Sequence, residues 1–232
     1  MPGLPGILTL AFFLVLVPFG SLRARHQAER LIALPRDAFY RNIVGQQFLF
    51  GCVALIAMLG ERLELRFGRV DPLAIGIAVA IVAVLVLLMR PRWKVGVARH
   101  EPRLALISPR TRTERRWWIA VSIAAGISEE LVWRGVVATL LWSLTGEWIL
   151  AAVVTSVAFG ISHAMQGWKG AAIITIIALV MQAYVYWTGG LLLAMAMHAA
   201  YDVIAGLSYG RLADAAGLPI DPLPVAPPRA SL

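Results

Sequence analysis

Residues 117–144 read WWIAVSIAAGISEELVWRGVVATLLWSL. As a helix this run is long enough to cross the ~30 Å hydrocarbon core of a bilayer. Yet Glu129, Glu130 and Arg134 stand about a dozen residues inside it, which at about 1.5 Å per residue is ~18 Å deep. Each charge there costs on the order of 2.5–3.5 kcal/mol on insertion scales, so three in one helix need a compensating arrangement. Glu130 and Arg134 supply part of it: spaced i, i+4 with the acid first, they share one helix face in the favourable order and can pair. Glu129, rotated ~100° from its neighbour, is left to face a cavity and serve as a base. The plainer alternative is an ion-pair network that locks helices together, and it suits the Glu130 and Arg134 pair better than Glu129.

The rest of the chain fits the same solvent. Of its 232 residues, 59% are hydrophobic and 15% charged, and the mean hydropathy is +0.76, well outside the range of soluble domains. The apolar runs are continuous rather than alternating, which predicts an all-α transmembrane bundle and excludes a membrane barrel. About seven spans are expected, at 6–22, 43–60, 72–89, 117–144, 148–165, 171–188 and 191–207. The net charge of +8 would suggest nucleic acid in a soluble protein, but the cations lie between spans. Arg23, Arg25, Arg30, Arg36 and Arg41 fill the first loop, and Arg90, Arg92, Lys94, Arg99, Arg103, Arg110, Arg112, Arg115 and Arg116 the third. Both loops are therefore expected on the cytoplasmic side of the cell's inner membrane, with the N-terminus outside and the C-terminus inside. The second loop offsets Arg62, Arg66 and Arg69 with Glu61 and Glu64, and Lys169 and Arg211 fall inside.

The first span lacks a positive n-region and reads as a retained helix rather than a signal peptide. Cys52 is the single cysteine, so there is neither a disulfide framework nor a thiolate metal site. Only Gly189 and Gly190 join the last two spans, which predicts an antiparallel hairpin whose facing sides pack together. Residues 208–232 turn to Gly, Ala and Pro, a composition expected to stay disordered. The division is then N-terminal helices with the basic loop over 1–116, a core over 117–207, and the tail. No paired broken helices mark an inverted-repeat transporter.

Two further spans carry ionisable groups. Phe159 and His163 stand at i, i+4, and so do His198 and Asp202. His198 and Glu129 fall at similar depths, whereas His163 comes out nearer the cytoplasmic edge. Two histidines and several carboxylates in a bundle core support two chemistries. In metal-assisted hydrolysis, Glu129, His163 and His198 would hold a divalent ion such as zinc. Without metal, Glu129 and His163 would activate water, with His198 and Asp202 stabilising the developing oxyanion. No HExxH run is present, and Ser162 points ~100° away from His163, a poor geometry for a serine nucleophile.

Glu129-Glu130-x-x-x-Arg134, Phe159-x-x-x-His163 and His198-x-x-x-Asp202, in that order on apolar helices, resemble the CPBP family of CAAX proteases and bacteriocin-processing enzymes. The resemblance covers about 117–207. It implies an intramembrane endopeptidase acting on a membrane protein or peptide, with the site among the C-terminal four spans. In it Glu129 looks like the water-activating residue, Glu130 and Arg134 support it, and His163, His198 and Asp202 complete the site. Ras-converting members carry asparagine at the last position. An ionised Asp202 cannot donate to an oxyanion, so here it either acts protonated or holds His198 or a metal. Prenyl-protein cleavage is not predicted. The rival readings are a non-catalytic scaffold or immunity-type protein of the same fold, and a proton pathway. Trp117, Trp118, Trp142, Trp148, Trp168 and Trp187 read as an interfacial belt, and Ala124, Ala125, Gly126 and Gly135 as positions of close helix approach.

Overall fold

The computed structural model describes residues 1–25, 35–101 and 107–218. Of the calls above, Arg30, Arg103 and the tail from residue 219 lie outside the described residues. The chain is built of helices: α1 (Leu4–Arg25), α2 (Arg36–Glu61), α3 (Pro72–Ala98), α4 (112–145), α5 (Trp148–Ser162), α6 (Trp168–Thr188) and α7 (Leu192–Ala215). Among the described residues, α1, α2, α3, α6 and α7 are long and apolar enough to cross a membrane. The expected count of seven is not established: α4 carries charges, and α5, at 15 residues, is only ~22 Å long.

Local chemistry sets the ends and irregularities. Asp71 caps α3 by accepting from the Ala74 N–H at 2.8 Å, with Pro72 following it. Thr111 and Glu114 form a reciprocal capping box at the start of α4. The Glu114 carboxylate also receives Arg36 at 3.0 Å, tying α4 to the start of α2. In α1 a π turn over Phe12–Leu16 precedes Pro18, where the wider turn eases the clash of the proline ring with the preceding turn. Glu61, at the end of α2, accepts from the N–H groups of Gly3 and Gly6 at 2.9 and 2.7 Å, and so caps α1 from a neighbouring helix. Glu61→Ala is expected to lower stability by about 1 kcal/mol, read by thermal unfolding in detergent; an unchanged midpoint would show the cap contributes nothing.

α4 is the central rod, flanked by α2 on one side and α7 on the other. Phe13, Phe50, Trp133 and Phe159 interlock edge to face around it, with Trp133 5.8 Å from Phe13 and 5.5 Å from Phe159. Leu73, Val79, Val84, Leu87 and Leu88 of α3 are exposed, an arrangement suited to lipid and costly in water.

Three expectations are corrected. α3 does not stop at residue 89 but runs through Pro91 to Ala98, so Arg90, Arg92 and Lys94 are helical; Trp93, buried between α3 and Tyr209, anchors that extension. α6 and α7 diverge from their Gly189-Gly190 turn instead of packing along their length. Ala78 of α3 wedges between them against Met181, Tyr184, Ala194 and Met197, and the Tyr184 hydroxyl donates to the Ala74 carbonyl. α7 also continues past residue 207 to Ala215, because Tyr209 packs on Trp93 and Asp214 pairs with Arg110 at 2.6 Å.

The segment between α2 and α3 lies across the α6 to α7 turn. The Leu191 and Leu192 N–H groups donate to the Arg66 and Phe67 carbonyls at 3.0 and 3.2 Å, and the Arg69 N–H to Thr188 at 2.9 Å. Gly68 and Gly190 allow this approach, since a Cβ on Gly68 would meet the Gly190 nitrogen at 2.6 Å.

Candidate active site

Glu129 and Glu130 are the last two α-helical residues of α4 before a π segment, Leu131–Val137, that contains Arg134. Single π turns of this kind recur where side chains must be re-aimed at a functional site. Glu130 is fully buried, at 0% exposure. Its Oε1 accepts from Arg134 Nη1 at 3.1 Å and from His198 Nδ1 at 2.8 Å. The expected Glu130 to Arg134 pair is therefore made, and it is also the support of a histidine. The Arg134 guanidinium lies 4.8 Å from the centroid of the Phe159 ring, which spreads its charge over a π face.

A nitrogen hydrogen-bonded to a carboxylate is the donor, so His198 donates Nδ1–H to Glu130 and turns Nε2 into the site. That Nε2 lies 3.7 Å from Glu129 Oε2 and 3.6 Å from Asp202 Oδ2. Gly126, one turn before Glu130, makes this meeting of α4 and α7 possible: a Cβ there would meet the Ala199 nitrogen at 2.8 Å and the Met195 carbonyl oxygen at 2.9 Å. Gly126→Val is expected to push α7 away, break the Glu130 to His198 hydrogen bond and lower stability by on the order of 1–3 kcal/mol. Thermal unfolding checks it, and a variant as stable as the parent would sink the close-packing account.

His163 caps the C-terminus of α5. That helix is only 15 residues long, so His163 stands at its very end. Gly160 seats its last turn directly against Ala171 and Thr175 of α6. His163 Nδ1 lies 2.9 Å from the Phe159 carbonyl oxygen. A carbonyl only accepts, so this nitrogen bears the proton and the neutral ring offers a bare Nε2. That Nε2 lies 4.0 Å from Glu129 Oε2. The Ser162 hydroxyl is occupied by the Ala158 carbonyl at 2.8 Å, consistent with its dismissal as a nucleophile.

The six expected residues thus converge, but not from the C-terminal four helices alone. α6 gives no side chain to the cluster, whereas α2 gives Gln47, a residue the sequence reading missed. Its Nε2 donates to Glu129 Oε1 at 2.6 Å, and its Oε1 accepts from the Ser128 hydroxyl. The available signal was the Gln46-Gln47 pair inside an apolar span, where an amide that does not face water or a headgroup needs a partner. Trp118 is a second correction: it is buried against Tyr40 and donates to the Asp202 carbonyl at 2.8 Å, so it supports the site helix instead of belonging to an interfacial belt. Trp142, Trp168 and Trp187 are exposed.

Among the described residues no group of three or more His, Cys, Asp or Glu is arranged to hold a metal ion. The ligand set Glu129, His163 and His198 therefore gains no support from this geometry.

Residues 112–204 match the family model described as Type II CAAX prenyl endopeptidase Rce1-like. The matched segment runs from the start of α4 past Asp202. No curated protein and no solved structure matches the chain.

Proposed function

We propose, from the match of residues 112–204 to the Rce1-like CAAX endopeptidase model, that this multi-pass membrane protein hydrolyses a peptide bond in a membrane-associated protein or peptide, using water activated by Glu129. One observation carries the reading: three helices bring Glu129 Oε2, His163 Nε2 and His198 Nε2 together, with both nitrogens within 4.0 Å of that oxygen.

Glu129 Oε2 and His163 Nε2 are both acceptors, too far apart to bond each other. A water about 2.8 Å from each spans them by donating both its hydrogens. Its lone pairs then point outward, toward a substrate carbonyl. Glu129 takes one proton as the oxygen attacks the carbonyl carbon. His198, in its doubly protonated form, donates Nε2–H to the resulting oxyanion. The tetrahedral intermediate collapses as the proton held by Glu129 passes to the leaving nitrogen, so one water is consumed and a carboxyl and an amine are produced. Glu130 positions His198 by accepting from Nδ1, and Arg134 holds Glu130. Asp202 faces His198 Nε2 and orients the ring. The Arg-rich loops are proposed to face the cytoplasm, with the N-terminus outside.

The test compares membrane proteomes of cells carrying the wild type or Glu129→Gln for protein termini that depend on the glutamate. Termini formed by the wild type alone establish a peptidase and name its substrate. Identical sets of termini remove the reading.

A further inference from the structure

We infer that Gln47 is a positioning residue for Glu129, so that α2, which lies outside the matched segment, completes the active site. The inference rests on the peptidase reading above. Gln47 is 6% exposed and stands in the apolar stretch of α2, next to an exposed Gln46. A buried amide has two ends to satisfy, and here they are not interchangeable. The Glu129 carboxylate only accepts, so it takes the NH2 end at Oε1 at 2.6 Å, and the amide oxygen is left to accept from the Ser128 hydroxyl. A hydrogen bond of that length to a carboxylate is of the strong, charge-assisted kind.

The consequence is a division of labour between the two Glu129 oxygens. Oε1 is occupied by Gln47, and Oε2 is left facing His163 and His198. A carboxylate without that anchor rotates about its last torsion, whose wells are broad, and either oxygen drifts from the position where it and His163 Nε2 grip one water. Ser128 belongs to the same device, since its hydroxyl anchors the other end of the amide. The chain Ser128 to Gln47 to Glu129 starts and ends on α4 and passes through α2, so the base is aligned only while α2 is docked.

The test uses the full-length protein in native membranes, with the rate of appearance of the Glu129-dependent termini as readout. Gln47→Met keeps length and apolar packing but removes the donor, and is expected to slow cleavage about 100-fold with the fold retained and the thermal midpoint modestly lowered, since Ser128 and Glu129 each lose a partner. Gln47→His returns an N–H at similar reach and is expected to recover to within about tenfold of the wild type. A packing role alone predicts the opposite order, with methionine tolerated and histidine not. Ser128→Ala is expected to slow cleavage less than Gln47→Met and to add nothing to it, because the two lie on one path. Should Gln47→Met fail to fold, Ser128→Ala carries the test alone: a slowed rate at full stability supports the inference, and an unchanged rate overturns it. Wild-type rates in a folded Gln47→Met, or no recovery with histidine, overturn this inference and leave the peptidase reading standing. Absence of Glu129-dependent termini in the wild type overturns that reading, and the inference with it.

Discussion

Glu129→Gln is expected to lower the cleavage rate by about 10²- to 10⁴-fold, the usual contribution of a general base, while the protein inserts and melts as the wild type does. The substitution changes no shape. The new amide oxygen accepts from Gln47 as Oε1 does now, which leaves an NH2 group at the position of Oε2. That group donates toward His163 Nε2 and can neither accept a water hydrogen nor store a proton. The spanning water loses one of its two acceptors and its base in a single atom exchange. Time courses of the wild-type-dependent termini check the rate, and thermal unfolding in detergent checks the fold. A variant that retains activity within tenfold would show that proton transfer does not pass through Glu129.

Glu130→Leu is expected to cost about 3–5 kcal/mol of stability, because it strands a buried cation. The Arg134 side chain is 2% exposed, and Glu130 is its anionic partner at 3.1 Å. The Arg134 Nε and Glu130 Oε2 atoms already lack a hydrogen-bond partner among the described residues, so little reserve is available to absorb the loss. Removing both charges, in Glu130→Leu with Arg134→Met, is expected to recover most of the stability, since a buried pair replaced by apolar groups is often neutral. Activity is not expected to return: His198 still lacks the carboxylate that fixes Nδ1 at 2.8 Å. Recovery of stability without activity separates the structural and the positioning roles of this carboxylate. If the double variant is as unstable as the single, the ion pair is not what Glu130 supplies.

What could be read from the sequence, and what could not, follows from the solvent. Charges inside an apolar run are expensive, so Glu129, Glu130, Arg134, His163, His198 and Asp202 stand out against their background, and the fold brings them near one another. Apolar faces carry no such signal. In a bilayer the lipid-facing and protein-facing sides of α3, α6 and α7 are alike in composition, so nothing local tells that α6 and α7 splay around Ala78. The end of α7 was misjudged for a related reason: residues after 207 are weak in apolar pattern, and their helix is held by Trp93 and Arg110, distant in sequence. Gln47 was overlooked because an uncharged amide stands out less than a carboxylate, although in lipid it too needs a partner. The short α5 was hidden because no glycine or proline follows Ser162 before Gly167.

The strap between residues 66–69 and the α6 to α7 turn has a consequence for the order of assembly. Its acceptors, the carbonyls of Arg66 and Phe67, are synthesised more than a hundred residues before their donors at Leu191 and Leu192. At roughly 5–20 residues per second on the ribosome, this seam stays open for on the order of ten seconds while the intervening helices emerge. Backbone groups in that interval are solvated by water at the membrane surface, so the strap has to remain at the interface and cannot be drawn into lipid. The charges of Arg66 and Arg69 in the segment hold it there. Closure of the strap is thus a late event, and it is the step at which α7 becomes registered against the first half of the chain.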